Sequence, residues 1–102
     1  MLDSLLQSFS NSTINTAVHP IEVATVLDLI PENTSRLNLA AAELHSPAMN
    51  ATVFSAAKGS VSAIEFGEEL ILFNITGQEK PVVLDIDTPL ERVKQLILSY
   101  IQ

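Results

Sequence analysis

The chain has 102 residues, with no cysteine, three glycines and 12 acidic against 5 basic side chains, a formal net charge of −7. This length fits a single domain over residues 1–102, and a hydrophobic share of 47% is too high for a disordered chain. The lack of cysteine excludes disulfide frameworks, thiolate zinc sites and thiol nucleophiles. Five scattered basic residues cannot neutralise a run of phosphates, so we expect no nucleic-acid partner.

The N-terminal residues have the apolar spacing of a helix. Leu2, Leu5, Leu6 and Phe9 recur at the spacing of one helical face, which predicts a short amphipathic helix. The segment lacks the basic and continuous apolar regions of a signal peptide, and no apolar run approaches the roughly 18 residues of a membrane span. We therefore expect a cytoplasmic protein without direct membrane insertion. Residues 10–15 are polar and without period, which predicts a loop.

Residues 21–30 fit two interpretations. Their β-branched content favours a strand, whereas polar residues at every third position favour a helix opened by Pro20. We prefer the strand. Residues 36–40 alternate in polarity after a turn-like segment, so the two stretches together predict a two-stranded hairpin.

The next segment contains residues that favour the two ends of a helix. Ser46 suits an N-cap, Pro47 the first helical position, and Gly59 a left-handed C-terminal residue. The alanine-rich stretch between them predicts a helix with a surface of small residues. Lys58 would lie in its last turn, where a cation is favoured.

The C-terminal half predicts a three-stranded antiparallel meander and a last helix. Residues 61–66, 70–76 and 81–86 show the period-two pattern of strands, with reversals at Gly67 and Gly77. Thr88, Pro89 and Glu91 form the pattern of a capping box, which predicts a helix beginning there. The resulting order is αββαβββα, an α+β fold with a five-stranded antiparallel sheet and helices packed on it.

We find no residue constellation with catalytic, metal-binding or cofactor-binding chemistry. His19 and His45 have no partner at metal-ligand spacing and are expected in connections. Asp85 and Asp87 would share one face at a strand end, where solvation is the simpler interpretation. Each glycine is used at a reversal or helix end, so none remains for a phosphate-binding loop. We therefore predict a protein that is not an enzyme and has no cofactor.

The element order and the segment 61–86 resemble the Roadblock (dynein light chain) domains, which have a longin- or profilin-like architecture. The resemblance implies a dimerising scaffold or adaptor subunit of a larger complex, joined to a similar domain as a homo- or heterodimer and linked to small GTPase regulation. It also implies recruitment to a lysosomal or vacuolar membrane through partners. By position, the interface would include residues of the middle helix and the third strand: Met49, Thr52, Val53, Ala56, Val61, Ala63 and Glu65.

The alternative function is an acidic stand-alone binding protein of the secretion-chaperone or immunity-protein type. Such proteins also use small acidic α/β domains. The net charge of −7 would then attract a basic partner, and the association would weaken as salt is added.

Overall fold

The protein was analysed as a computed structural model, which describes residues 1–10, 13–22, 48–76 and 81–102. Of the predicted strand over 21–30, residues 21–22 belong to a strand that begins earlier, at Asn15, and residues 23–30 lie outside the described residues. The predicted strand over 36–40, His45, the proposed cap Ser46–Pro47 and the reversal at Gly77 also lie outside them. The described part is an α+β fold with two helices and a five-stranded antiparallel sheet. The predicted fold class is confirmed at this level.

The first helix, α1 (Leu2–Ser8), forms where the leucine spacing predicts it, and it buries Leu5. Strand β1 (Asn15–Glu22) follows. It corrects the expectation that His19 lies in a connection, because His19 is a strand residue paired with Ala51 of β2. Proline is tolerated in β1 because β1 is an edge strand of the described sheet.

The predicted middle helix is wrong over the described residues, because strand β2 (Ala48–Ser55) occupies that segment. Thr52, Val53 and Phe54 are β-branched or aromatic and favour a strand. β2 is also hydrogen-bonded on both sides, to β1 and to β3. These non-local pairings outweigh the high helix propensity of the alanines.

The predicted meander is confirmed for its strands. β3 (Ser60–Phe66), β4 (Glu69–Asn74) and β5 (Val82–Asp85) are antiparallel neighbours, and the sheet order is β1-β2-β3-β4-β5. Gly67 makes the reversal between β3 and β4 with φ +61°, a value that glycine adopts without a Cβ penalty. β5 ends at Asp85, so Asp87 lies in the following turn instead of on the strand face.

The last helix, α2 (Leu90–Ile101), begins without the predicted capping box. No side chain caps its N-terminus. The Thr88 hydroxyl instead donates to the Asp85 carbonyl at 2.7 Å, which holds the turn that leads out of β5. The helix is amphipathic as predicted, and Val93, Ile97 and Ile101 are buried.

Lys58 does lie at a helix C-terminus, but at that of α2. It is in the turn between β2 and β3, where its backbone N–H donates to the Ile101 carbonyl at 2.9 Å. Its ammonium donates to the Ser99 carbonyl at 3.2 Å. The last carbonyls of a helix lack internal donors and attract a cation, so this turn closes the end of α2.

The core lies between the two helices and one face of the sheet. α2 packs on β2 and β3, and α1 packs on α2. The Phe9 and Phe54 rings meet at 5.3 Å between centroids, a tilted aromatic pair. The buried side chains of this core are Leu5, Phe9, Ile14, Phe54, Val61, Ala63, Leu70, Leu72, Val93, Ile97 and Ile101. We call this side of the sheet the helix face.

Gly59 is required for a close approach and not for the helix end that the sequence predicted. A Cβ at this position would lie 2.7 Å from the Thr76 hydroxyl oxygen. That hydroxyl accepts a hydrogen bond from the backbone N–H of Ser60 at 2.9 Å. The missing side chain therefore lets the β2–β3 turn pack against the end of β4.

Candidate functional site

A cavity of about 370 Å³ opens on the sheet face opposite the two helices. We call this side the cavity face. The lining comes from β1 to β4 and the residue that follows β4: His19, Pro20, Ile21, Ala51, Val53, Ser62, Phe73 and Ile75. Its volume lies in the usual range for small-molecule sites, and its walls are mainly apolar.

The strand register explains why space remains there. Val53 pairs with Ser62, and Ser62 pairs with Phe73, so the three side chains form one row across the cavity face. Ala51 pairs with His19 in the neighbouring row. Ala51 and Ser62 are short, so they form a low floor between the larger side chains of Phe73 and Ile21.

Two lining residues carry polar side chains. Ser62 is only 5% exposed, whereas His19 is exposed. They lie on β3 and β1, two strands apart, and neighbouring strands are about 4.8 Å apart. The two groups are therefore too distant for the hydrogen bond that a serine nucleophile and its histidine base require.

The rim and the adjacent edge carry exposed apolar side chains. Ile75, at the rim of the cavity, is 56% exposed. Val18 on β1 is 62% exposed, and its pairing with Thr52 places it on the helix face. Residues 15–20 of β1 are all exposed, so this edge strand is the most accessible part of the described sheet.

The predicted interface residues are divided between the two faces. The first four do not lie on a helix, because Met49, Thr52 and Val53 are in β2 and Ala56 follows it. Val53 lines the cavity, while Ala56 packs against the core. The side chain of Met49 lies outside the described part. Thr52, Val61 and Ala63 lie on the helix face, where their side chains are buried.

Glu65 is the remaining predicted interface residue, and it contacts the first helix of its own chain. Its carboxylate lies 3.1 Å from the Met1 ammonium and accepts a hydrogen bond from the Leu2 N–H at 2.7 Å. The side chain is 38% exposed, so solvent weakens the ion pair. Its geometry ties the start of α1 to β3.

Acidic side chains gather at one end of the sheet. Glu69 pairs with Asp85 across β4 and β5, and the Ile86 N–H donates to the Glu68 carbonyl at 2.9 Å. The side chains of Glu68, Asp85 and Asp87 are exposed. Across the described ranges, no group of three or more His, Asp or Glu side chains is arranged to hold a metal ion. We call these exposed residues, Glu68, Asp85 and Asp87, the acidic end.

The cavity was not anticipated from sequence. Its short floor residues, Ala51 and Ser62, are distant in the chain and meet only through β2–β3 pairing. No local spacing in the sequence indicates that these two residues are neighbours, and Ala51 lies in a segment whose end residues favour a helix. Only if residues 48–55 had been predicted as a strand would Ala51 and Ser62 have been placed on the same face of the sheet.

In comparisons with known proteins, no family model, no curated protein and no solved structure matches the chain. The class that the described residues define is therefore an α+β fold with a five-stranded antiparallel sheet, two helices on one face and an apolar cavity on the other. Neither helix among the described residues has the length and hydropathy of a membrane span.

Proposed function

We propose that the chain is a non-enzymatic interaction subunit that pairs with a similar domain, as a homo- or heterodimer, through strand β1. The observation that supports this proposal is the exposure of residues 15–20 along an eight-residue strand at the edge of the described sheet. An edge strand presents backbone N–H and C=O groups that a strand of another chain can bind.

The side chains of β1 favour the same use. Val18 adds apolar surface at the middle of the strand, with 62% of it exposed. Pro20 has no N–H, so pairing would use the backbone of residues 15–19. These five residues include no aspartate, glutamate, lysine or arginine whose charge would guard the edge.

This proposal moves the contact away from the segment that the Roadblock resemblance indicates. β2 is paired on both sides, so its backbone is not free for an edge-to-edge contact. The finer assignment, to an adaptor complex that regulates a small GTPase and is recruited to a lysosomal or vacuolar membrane, rests on the resemblance alone.

Light scattering on the purified chain at micromolar concentration tests the dimer. We expect the mass of two chains, and we expect Val18→Lys to weaken the association at least about tenfold because it places a charge at the centre of the paired edge. Ile75→Lys is the matched control, since Ile75 is also an exposed apolar residue but lies outside β1. A folded monomer for the native chain, or equal effects of both variants, would contradict pairing through β1.

The acidic end supports a second candidate, binding of a basic partner. Glu68, Asp85 and Asp87 are exposed near one another in a chain of net charge −7. Binding of a polylysine peptide measured at low and high salt distinguishes the two functions. Charge-driven binding would fall steeply with salt and with the charge-neutral variant Asp85→Asn, whereas dimerisation through an apolar edge would respond little.

A further inference from the structure

The cavity is large enough to be a binding site in its own right. An apolar protein cavity of about 150 Å³ holds benzene. The cavity here has about 370 Å³, more than twice that volume. A bicyclic aromatic molecule therefore suits its size, whereas a single ring would leave it partly empty and with fewer contacts.

The lining restricts the chemistry of the occupant. Among the described residues that line it there is neither lysine nor arginine, and the chain has a net charge of −7. A carboxylate or phosphate in this cavity would lose its hydration without gaining a cationic partner, which is unfavourable. The walls from Ile21, Val53 and Phe73 favour an uncharged apolar molecule.

One buried polar group distinguishes this site from a plain apolar groove. The Ser62 side chain is 5% exposed and lines the cavity. A ligand group that forms a hydrogen bond with this hydroxyl gains affinity over an apolar group of the same shape. The hydroxyl can donate or accept, so it suits a neutral phenol, alcohol or amide group.

We propose that this cavity binds a neutral, bicyclic aromatic-sized small molecule with one hydrogen-bonding group directed at the Ser62 hydroxyl. The proposal goes beyond the interaction function and does not depend on it. The ligand lies on the cavity face, whereas the proposed dimer contact uses the backbone edge of β1.

A set of naphthalene probes of matched size tests the proposal on the full chain. The chain has no tryptophan, so naphthyl emission is measured without an indole background. We expect 2-naphthol, neutral at pH 7, to bind in the micromolar range with a blue shift in emission. We expect 2-naphthoate, an anion of nearly the same shape, to bind at least about tenfold more weakly.

Variants localise the binding. Ser62→Ala removes the hydrogen-bonding group and should weaken 2-naphthol binding about three- to tenfold, while leaving naphthalene binding unchanged. Val53→Phe fills the cavity and should abolish binding of both. Val18→Phe is its matched control, because it makes the same substitution on the helix face and should leave both affinities unchanged.

The outcomes decide between the site and its alternatives. Failure of 2-naphthol to bind, equal affinity for 2-naphthoate, or unchanged binding in both Ser62→Ala and Val53→Phe would overturn the proposal. Circular dichroism confirms that each variant is folded. If Val53→Phe does not fold, the ratio of 2-naphthol to naphthalene affinity in Ser62→Ala still decides the question. Dimerisation is measured by light scattering and ligand binding by naphthyl emission, so failure of one proposal is distinguishable from failure of the other.

Discussion

The two faces of the sheet use neighbouring residues of the same strands in different ways. Phe54 and Val61 are fully buried in the core on the helix face. Val53 and Ser62, one position away in each strand, line a cavity on the other face. Successive side chains of a strand point to opposite faces, so one stretch of sequence supplies both a filled core and an open site. Ile64 and Ile71 pair with each other on the cavity face and are also fully buried. We infer that the contrast with the core is confined to the residues that line the cavity.

Truncating one phenylalanine on each face tests this comparison most strongly. Phe54→Ala should destabilise the fold by about 3–5 kcal/mol, since it leaves a closed void and removes the contact with the Phe9 ring. Phe73→Ala should cost at least about 1 kcal/mol less, because Phe73 borders a cavity that is already open. Urea unfolding followed by circular dichroism measures both. Equal losses would show that the cavity lining around Phe73 is packed as tightly as the core.

The same isosteric change on each face sharpens the comparison. Val61→Thr places a hydroxyl in the core without a partner and should destabilise by about 1–3 kcal/mol. Val53→Thr should cost less than about 1 kcal/mol, because the new hydroxyl lies at a half-buried position beside the cavity. Thermal unfolding of the two variants gives the difference. The comparison fails if Val53→Thr is the more destabilising of the two.

The smallest expected effect concerns the ion pair that joins α1 to the sheet. Glu65→Gln should lower the stability by at most about 1 kcal/mol, since the carboxylate is partly exposed and the pair is screened. Asp87→Asn removes the same charge from an exposed turn and serves as the control. Denaturant unfolding at low and high salt separates the two. An effect of Glu65→Gln that persists at high salt would point to packing of the side chain in place of ion pairing.

The parts of the fold that the sequence predicted are those with local signals. The leucine spacing of α1 and the amphipathic pattern of α2 are complete within each segment. The meander of β3 to β5 also has short connections, and Gly67 marks one of them. The predicted capping box does not form, because the Thr88 hydroxyl has two possible hydrogen-bond partners. Its hydroxyl bonds to the Asp85 carbonyl of the preceding turn instead of the helix N-terminus.

The sequence by itself determined the α+β class, the meander and the two terminal helices, because period and turn residues act over a few positions. Only the tertiary structure decided the fate of residues 48–55. Their helix signals were local, whereas the hydrogen bonds that make β2 a strand come from β1 and β3. The cavity depends on that same pairing, since Ala51 and Ser62 share a face only in this register. Contacts between distant segments overrode local propensity there, and they created the candidate site.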